Sequence, residues 1–377
     1  MAYLDNSATT AVCSAAVERM VAVMTETYGN PSSLHRMGIA AEEAVQKART
    51  TVAAMIGCAP DRLVFTSGGT ESNNLSILGT AAAKTRSSRK AVTTMGEHAS
   101  VSACFDELEK QGWQVTRLPL RSDGSVSLDD LEKALTPDTA LVSIMMVNNE
   151  TGALCDIAEA VKRVRRCCTD AVFHSDCVQA AGKLTLKAER WGVDLLTVSS
   201  HKIHGPKGCG ALYIRKGLRV LPRQLGGGQE KGFRSGTEAV PAIVGFGAAA
   251  EVFPSVTEQG SRYQALRQQL ISGLADIEGV RWHLPESGVS YITNFSLMGL
   301  RSETLLHFLA ARDVYVSGGS ACSKGKRSPV LTAMGLPERE VDAALRVSFS
   351  YQNTEEDVRR LCEALHEAAE TLQRRVR

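Results

Sequence analysis

Short apolar runs that each stop at a polar residue recur through the first half of the chain, and this alternation most narrows the folds open to it. Residues 63–66 run into Ser67-Gly68-Gly69-Thr70, residues 91–95 into Gly96-Glu97-His98, and residues 140–147 into Asn148-Asn149-Glu150-Thr151-Gly152. Residues 171–174 run into Ser175-Asp176 and residues 193–198 into Ser199-Ser200-His201-Lys202. Before and between them, residues 14–26, 39–56, 104–111 and 157–168 carry apolar positions at helical spacing. Short buried strands alternating with helices predict a mainly parallel sheet covered on both faces. In such sheets ligands sit at the carboxyl ends of the strands, where His98, Asn149, Asp176 and Lys202 fall.

Lys202 follows a buried strand, next to His201 and close to Gly205, Pro206 and Gly208. A low-dielectric setting disfavours the charged amine and frees its lone pair for a carbonyl, the setting of a Schiff-base lysine. Asp176 suits a protonated ring nitrogen, Asn149 and Gln179 a phenolic oxygen, and His98 both stacking and proton transfer. Gly69 and Thr70 open a helix after two glycines, a place for an anion, with Ser199 and His201 beside it. Together these groups answer those of pyridoxal 5'-phosphate. Taken singly each has a plainer role: Lys202 a solvated loop lysine, Asp176 and Asn149 strand-end turns, His98 a buried histidine, and Ser67 or Thr70 an ordinary helix cap.

With 377 residues the chain exceeds what one core usually serves, so two unequal domains are expected. The boundaries are read as an N-terminal segment 1–14 packing with the small domain, a large domain 15–253, and a small α/β domain 254–377. A net charge of +2 with 22% charged residues gives no electrostatic case for direct nucleic-acid or membrane binding. Ten scattered cysteines, without a secretory signal or metal-ligand spacing, fit a reducing, cytoplasmic protein with no metal site. In the second half, strands are expected at 209–215, 280–283 and 292–296, and helices at 240–252, 256–277, 302–311, 338–345 and 355–375. Cys322 stands in a small, cationic stretch where Lys324, Lys326 and Arg327 favour its thiolate, as a mobile nucleophile requires. Arg346 is either a bidentate clamp for a substrate carboxylate or a structural ion-pair partner.

Eight ordered motifs resemble the cysteine desulfurases of the class V aminotransferase group: Leu4-Asp5-Asn6-Ser7-Ala8-Thr9-Thr10, Gly29-Asn30-Pro31-Ser32-Ser33, residues 66–74, Glu97-His98, residues 147–152, residues 199–208, Arg234-Ser235-Gly236-Thr237 and Gly319-Ser320-Ala321-Cys322. The resemblance implies a fold-type I architecture, with a mainly parallel seven-stranded sheet flanked by helices in the large domain. It also implies that Lys202 bonds the cofactor, that Cys322 takes up sulfur from L-cysteine as a persulfide, and that His98 assists proton transfer. Thr237 would reach the phosphate across a homodimer interface, and Asn30 and Arg346 would hold the substrate carboxylate. The sulfur would pass to an acceptor or iron–sulfur scaffold protein, or to tRNA thiolation. Two departures stand out: a shorter, more basic stretch after Cys322, and Val347-Ser348-Phe349-Ser350-Tyr351 where the family more often has Phe-Ser-Leu-Gly. An aminotransferase or selenocysteine lyase, or a cofactor-bound interaction protein without turnover, remain the alternatives.

Overall fold

The structure is a computed structural model in which residues 1–84, 88–318 and 327–372 are described. Strand β1 (Ala2–Tyr3) opens the chain, and β2 (Leu63–Thr66), β3 (Lys90–Thr94), β4 (Gln114–Leu118), β5 (Thr139–Ser143), β6 (Val172–Asp176), β7 (Leu195–Ser199) and β8 (Gly210–Ile214) follow. These seven make one sheet in the order β2-β8-β7-β6-β5-β3-β4. From β4 to β7 neighbours pair in parallel, while β8 runs antiparallel to both β7 and β2. Every residue of β5 to β8 is buried, as runs such as Leu195-Leu196-Thr197-Val198 require when helices cover both faces.

The remaining strands are β9 (Val280–Trp282), β10 (Ile292–Leu297), β11 (Val314–Tyr315) and β12 (Ala344–Ser348). They build a three-stranded antiparallel sheet, β12-β10-β9, and a two-stranded parallel pair, β1-β11. The start of the chain is thereby stitched to its end: the Asn6 amide donates to the Ser348 carbonyl (2.9 Å) and to Asn353 Oδ1 (3.0 Å). A few residues on, the Thr10 and Cys13 amides donate to the His201 and His204 carbonyls, 3.0 and 2.9 Å away. The segment therefore runs along the turn that carries Lys202.

The helix expected over 338–345 is corrected. A helical turn spans only Glu338–Val341, and Ala344 onward is β12, a buried strand paired with the central β10, where Arg346 stands opposite Asn294. Helical spacing and a buried strand look alike over so short an apolar stretch, and the β10 partner decides between them. The run 140–147 also stops being strand at Ser143; Met145 lines the cavity described next, while Met146 and Val147 pack into the core.

Candidate active site

The carboxyl ends of β5, β6 and β7 meet the N-termini of two helices, Gly69–Ala83 and Ala99–Lys110, around a cavity of ≈550 Å³. Gly69, Thr70, His98, Asn149, Asp176, Gln179, Ser199, His201, Lys202 and Arg346 all line it. A larger open groove of ≈830 Å³, lined by Arg262, Gln269 and Arg359 among others, gathers none of them.

Lys202 leaves a single 3-10 turn, Ser200–Lys202, directly after β7. Its Nζ donates to the Ser7 and Ala8 carbonyls, the second at 2.8 Å, so the N-terminal segment cradles the amine. Asp176 ends β6 and is 5% exposed; its Oδ2 accepts from Asn73 Nδ2 at 2.8 Å and its Oδ1 from the Val178 N–H at 3.0 Å. Its strand-end role and its place in the cavity coincide. His98 caps the Ala99–Lys110 helix, Nδ1 accepting from the Ser100 N–H at 3.2 Å, which leaves Nε2 on the far side of the ring. Burial holds the His98 ring below its ordinary pKa; the Asp176 charge opposes that, and Lys202 adds to it. Burial likewise lowers His201 to about 4, helped by Lys202, Lys207 and Lys183, so its ring is neutral at physiological pH.

No side chain caps the Gly69–Ala83 helix, so neither Ser67 nor Thr70 fills the ordinary capping role. Glu71 Oε2 instead takes the Ser67 N–H at 2.8 Å. The first N–H groups of that helix and its dipole therefore stay available to an anion. Ser199 Oγ lies alongside, 4.0 Å from where a Cβ on Gly68 would stand, and is buried without a hydrogen-bond partner among the described residues. Gln179 Nε2 donates to the Ser7 carbonyl at 3.0 Å, while its Oε1 is equally buried and unpartnered.

Arg346 sits on β12 with 1% exposure. One terminal nitrogen meets Asp5 Oδ1 at 2.7 Å, the other donates to the Asn149 carbonyl at 2.9 Å, and Nε is buried without a hydrogen-bond partner among the described residues. Arg346 is thus ion-paired, as the structural reading of it expects, and it also lines the cavity.

Three expected residues are not brought together here. Thr237 and Asn30 are exposed and line no part of the cavity; Asn30 Oδ1 accepts from the Ser32 N–H at 2.9 Å within its own turn. Cys322 lies outside the described residues. Arg327, expected to favour its thiolate, meets Asp342 at 2.8 and 3.0 Å and Glu338 at 2.8 Å, acids at the two ends of the Glu338–Val341 turn. The sequence reading in turn missed Asn73, Glu97 and Asp5. Asn73 lies three positions after Thr70, the spacing that returns a helical side chain to the same face.

A lysine-bearing strand end facing an uncapped helix defines a class of protein, and comparison with known proteins agrees on which. The model of the aminotransferase class-V family matches residues 2–361. The chain belongs to that family, among its cysteine desulfurases. It is 42% identical over 375 residues to cysteine desulfurase 2 of Trichormus variabilis, with 98% of this chain and 93% of the relative covered. To the cysteine desulfurase IscS of Methanosarcina thermophila it is 41% identical, covering 98% and 92%. A solved structure described as a NifS-like protein superposes with a TM-score of 0.93 at 37% identity, covering 98% and 99%. Another, described as SspA in complex with cysteine, gives 0.82 at 33%, covering 93% and 99%. The resemblance drawn from the eight motifs and the fold it implied are borne out.

Proposed function

We propose that the cavity holds pyridoxal 5'-phosphate and that the chain uses it to convert L-cysteine to L-alanine, leaving a persulfide on Cys322. The observation that carries the reading is the pairing of Lys202 with an uncapped helix terminus and an unpartnered, buried Ser199 hydroxyl on one cavity wall. The donor set fits the group: N–H groups at Gly69 and Thr70, with Ser199 and His201, for a phosphate; Asp176 for a ring N–H; Gln179 and Asn149 for a ring hydroxyl. When bound, the cofactor supplies an aldehyde that captures amines and a ring that accepts an electron pair.

The chain's own residues then have separable tasks. Ser7 and Ala8 hold the Lys202 amine at the cavity, and Lys202 both bonds the cofactor and carries a proton to or from the substrate α-carbon. Asp176, backed by Asn73, keeps the ring nitrogen protonated. His98, neutral and fixed through Nδ1, presents Nε2 for proton transfer at the substrate sulfur. Arg346 grips the substrate carboxylate through its Nε edge; Asn30, exposed and away from this chain's own cavity, would join it only from a second copy of the chain. The Cys322 thiolate attacks the substrate sulfur, and the S–S bond of the persulfide forms as the substrate's Cβ–S bond breaks. The electron pair leaves with the carbon, which is then protonated to the methyl group of alanine, and the sulfur passes to an acceptor protein, for iron–sulfur cluster assembly or tRNA thiolation.

The assembly belongs to the same proposal. Val17, Val21 and Met24 form an apolar stripe on the Ser14–Thr25 helix, 47%, 48% and 51% exposed. An exposed apolar stripe of this kind fits a second copy of the chain. Thr237, exposed and away from its own cavity, is the residue such a copy would lend. The division at residue 254 into a large and a small domain is part of this reading too. So is a cytoplasmic setting, supported by nine free cysteines among the described residues. Among those residues no single helix is long and apolar enough to cross a membrane.

Alanine and sulfide released from L-cysteine in the presence of a thiol reductant test the reading. The parent is expected to yield both in equal amounts, Cys322→Ala to bind the cofactor and yield neither, and Lys202→Ala to lose the absorbance of the bound cofactor. Normal sulfide output from Cys322→Ala removes that residue from the chemistry. Cofactor binding without alanine returns the aminotransferase and interaction-protein alternatives.

A further inference from the structure

A second buried carboxyl lies in the cavity wall near Asp176, and nothing above gives it a task. Glu97 follows β3 and is 5% exposed. Its Oε1 accepts from the Thr94 hydroxyl at 3.0 Å and from the Met145 N–H at 2.9 Å. Its Oε2 is buried and has no hydrogen-bond partner among the described residues. An ionised carboxylate in such a place needs either a cation or donors on both oxygens. Among the described residues the titratable groups that act on Glu97 or feel its charge are Asp176 at the end of β6 and the Cys155 thiol ahead of the Ile157–Cys167 helix, with His98 next to it in sequence; none of these supplies a fixed positive charge. The other acids of the wall differ. Asp176 receives two N–H donors. Burial pushes the Glu150 carboxyl up as well, but the Ser328 hydroxyl at 2.5 Å and the Arg346 charge, which Glu97 lacks, pull it back. Neighbouring carboxyls in unlike surroundings divide into a proton carrier and an anion.

We propose that Glu97 is a protonated carboxylic acid in the working enzyme and a positioning residue for Asp176, whose charge acts on the cofactor ring undisturbed only while Glu97 stays neutral. The inference rests on the cofactor reading of the cavity. Burial, with the Asp176 charge adding to it, pushes the Glu97 carboxyl up to about 8 against the pull of its two donors. The neutral form therefore prevails at neutral pH. Above it the proton leaves to solvent, and a second negative charge arises beside Asp176.

Glu97→Gln tests this, because the amide keeps an acceptor for Thr94 and Met145 but cannot ionise. In the full chain freed of cofactor, infrared difference spectra are expected to show a protonated-carboxyl band that vanishes with a midpoint near 8 and is missing from Glu97→Gln. With pyridoxal phosphate bound, the pH profile of kcat/KM should fall on the alkaline side with the same midpoint. The fall should disappear in Glu97→Gln, whatever that variant's absolute rate. A band absent from the neutral, cofactor-free parent, or retained in the variant, overturns the protonated-acid assignment. An alkaline limb unchanged by Glu97→Gln overturns the positioning role. Should that variant not fold, Thr94→Val removes one donor to the charged form and must raise the band's midpoint; an unmoved midpoint overturns the assignment. Failure to bind pyridoxal phosphate would sink the cofactor reading and with it the positioning role, and the cofactor-free band keeps that failure distinct from a failure of the acid assignment.

Discussion

Arg346 has five donors and the structure spends two of its nitrogens, on Asp5 and on the Asn149 carbonyl, before any substrate arrives. That arrangement fixes the plane of the guanidinium, so the Nε edge is presented without a further ordering cost. Lysine at this position keeps the charge but cannot hold both partners and still offer a forked edge. Arg346→Lys is therefore expected to raise KM for L-cysteine by roughly 10- to 100-fold, the loss of about 1.5–3 kcal/mol that a hydrogen bond to a charged group carries, with a smaller effect on kcat. Steady-state kinetics decide it, and an unchanged KM would remove Arg346 from carboxylate binding. At this scale the sequence was informative about residues whose type is unusual for their setting, such as Lys202 at a strand end. It was silent about Asn73 and Asp5, because an asparagine on a helix and an acid near a terminus are ordinary until their partners, more than 100 and more than 300 residues away, are in view.

The elements around the cavity depend on close backbone approach at one crossing. A Cβ on Gly210, the first residue of β8, would stand 2.6 Å from Gly68 Cα and 2.7 Å from its carbonyl carbon. Gly68 has a φ of +152° and leads into the uncapped helix, so the two glycines set where that helix begins relative to the sheet. Gly210→Ala should force them apart, costing about 1–3 kcal/mol of stability as overpacking does and weakening cofactor retention. Denaturant midpoints and fluorescence titration with pyridoxal phosphate measure the two effects, and a variant unchanged in both would show the crossing to be slack. The strand-helix-strand alternation made these elements legible. The short strand at Ala344–Ser348 was not, because an apolar stretch of that length carries no period of its own and takes its conformation from the partner strand.

For the molecule as a whole, burial sets a pH dependence of stability. His174, His201, His204 and His283 are each lowered by burial to about 4. Unfolded histidine titrates near about 6.5, so between these values the unfolded chain binds protons that the folded one does not. Stability is therefore fully present above the unfolded value and is lost as pH falls through this window. Thermal melts taken from neutral pH downward are expected to show the midpoint dropping below pH of about 6.5; a flat profile would mean that these rings are not held neutral. The order of apolar runs and amphipathic stretches determined a mainly parallel sheet with its chemistry at the strand ends, since local periodicity and turn residues are written in neighbouring positions. Which side chains share a cavity wall, that the first ten residues cradle Lys202, and that Glu97 sits beside Asp176 with no cation among the described residues were decided only by the tertiary structure. Those facts depend on the electric field and hydrogen-bond supply at a point in space, and no stretch of sequence carries either by itself.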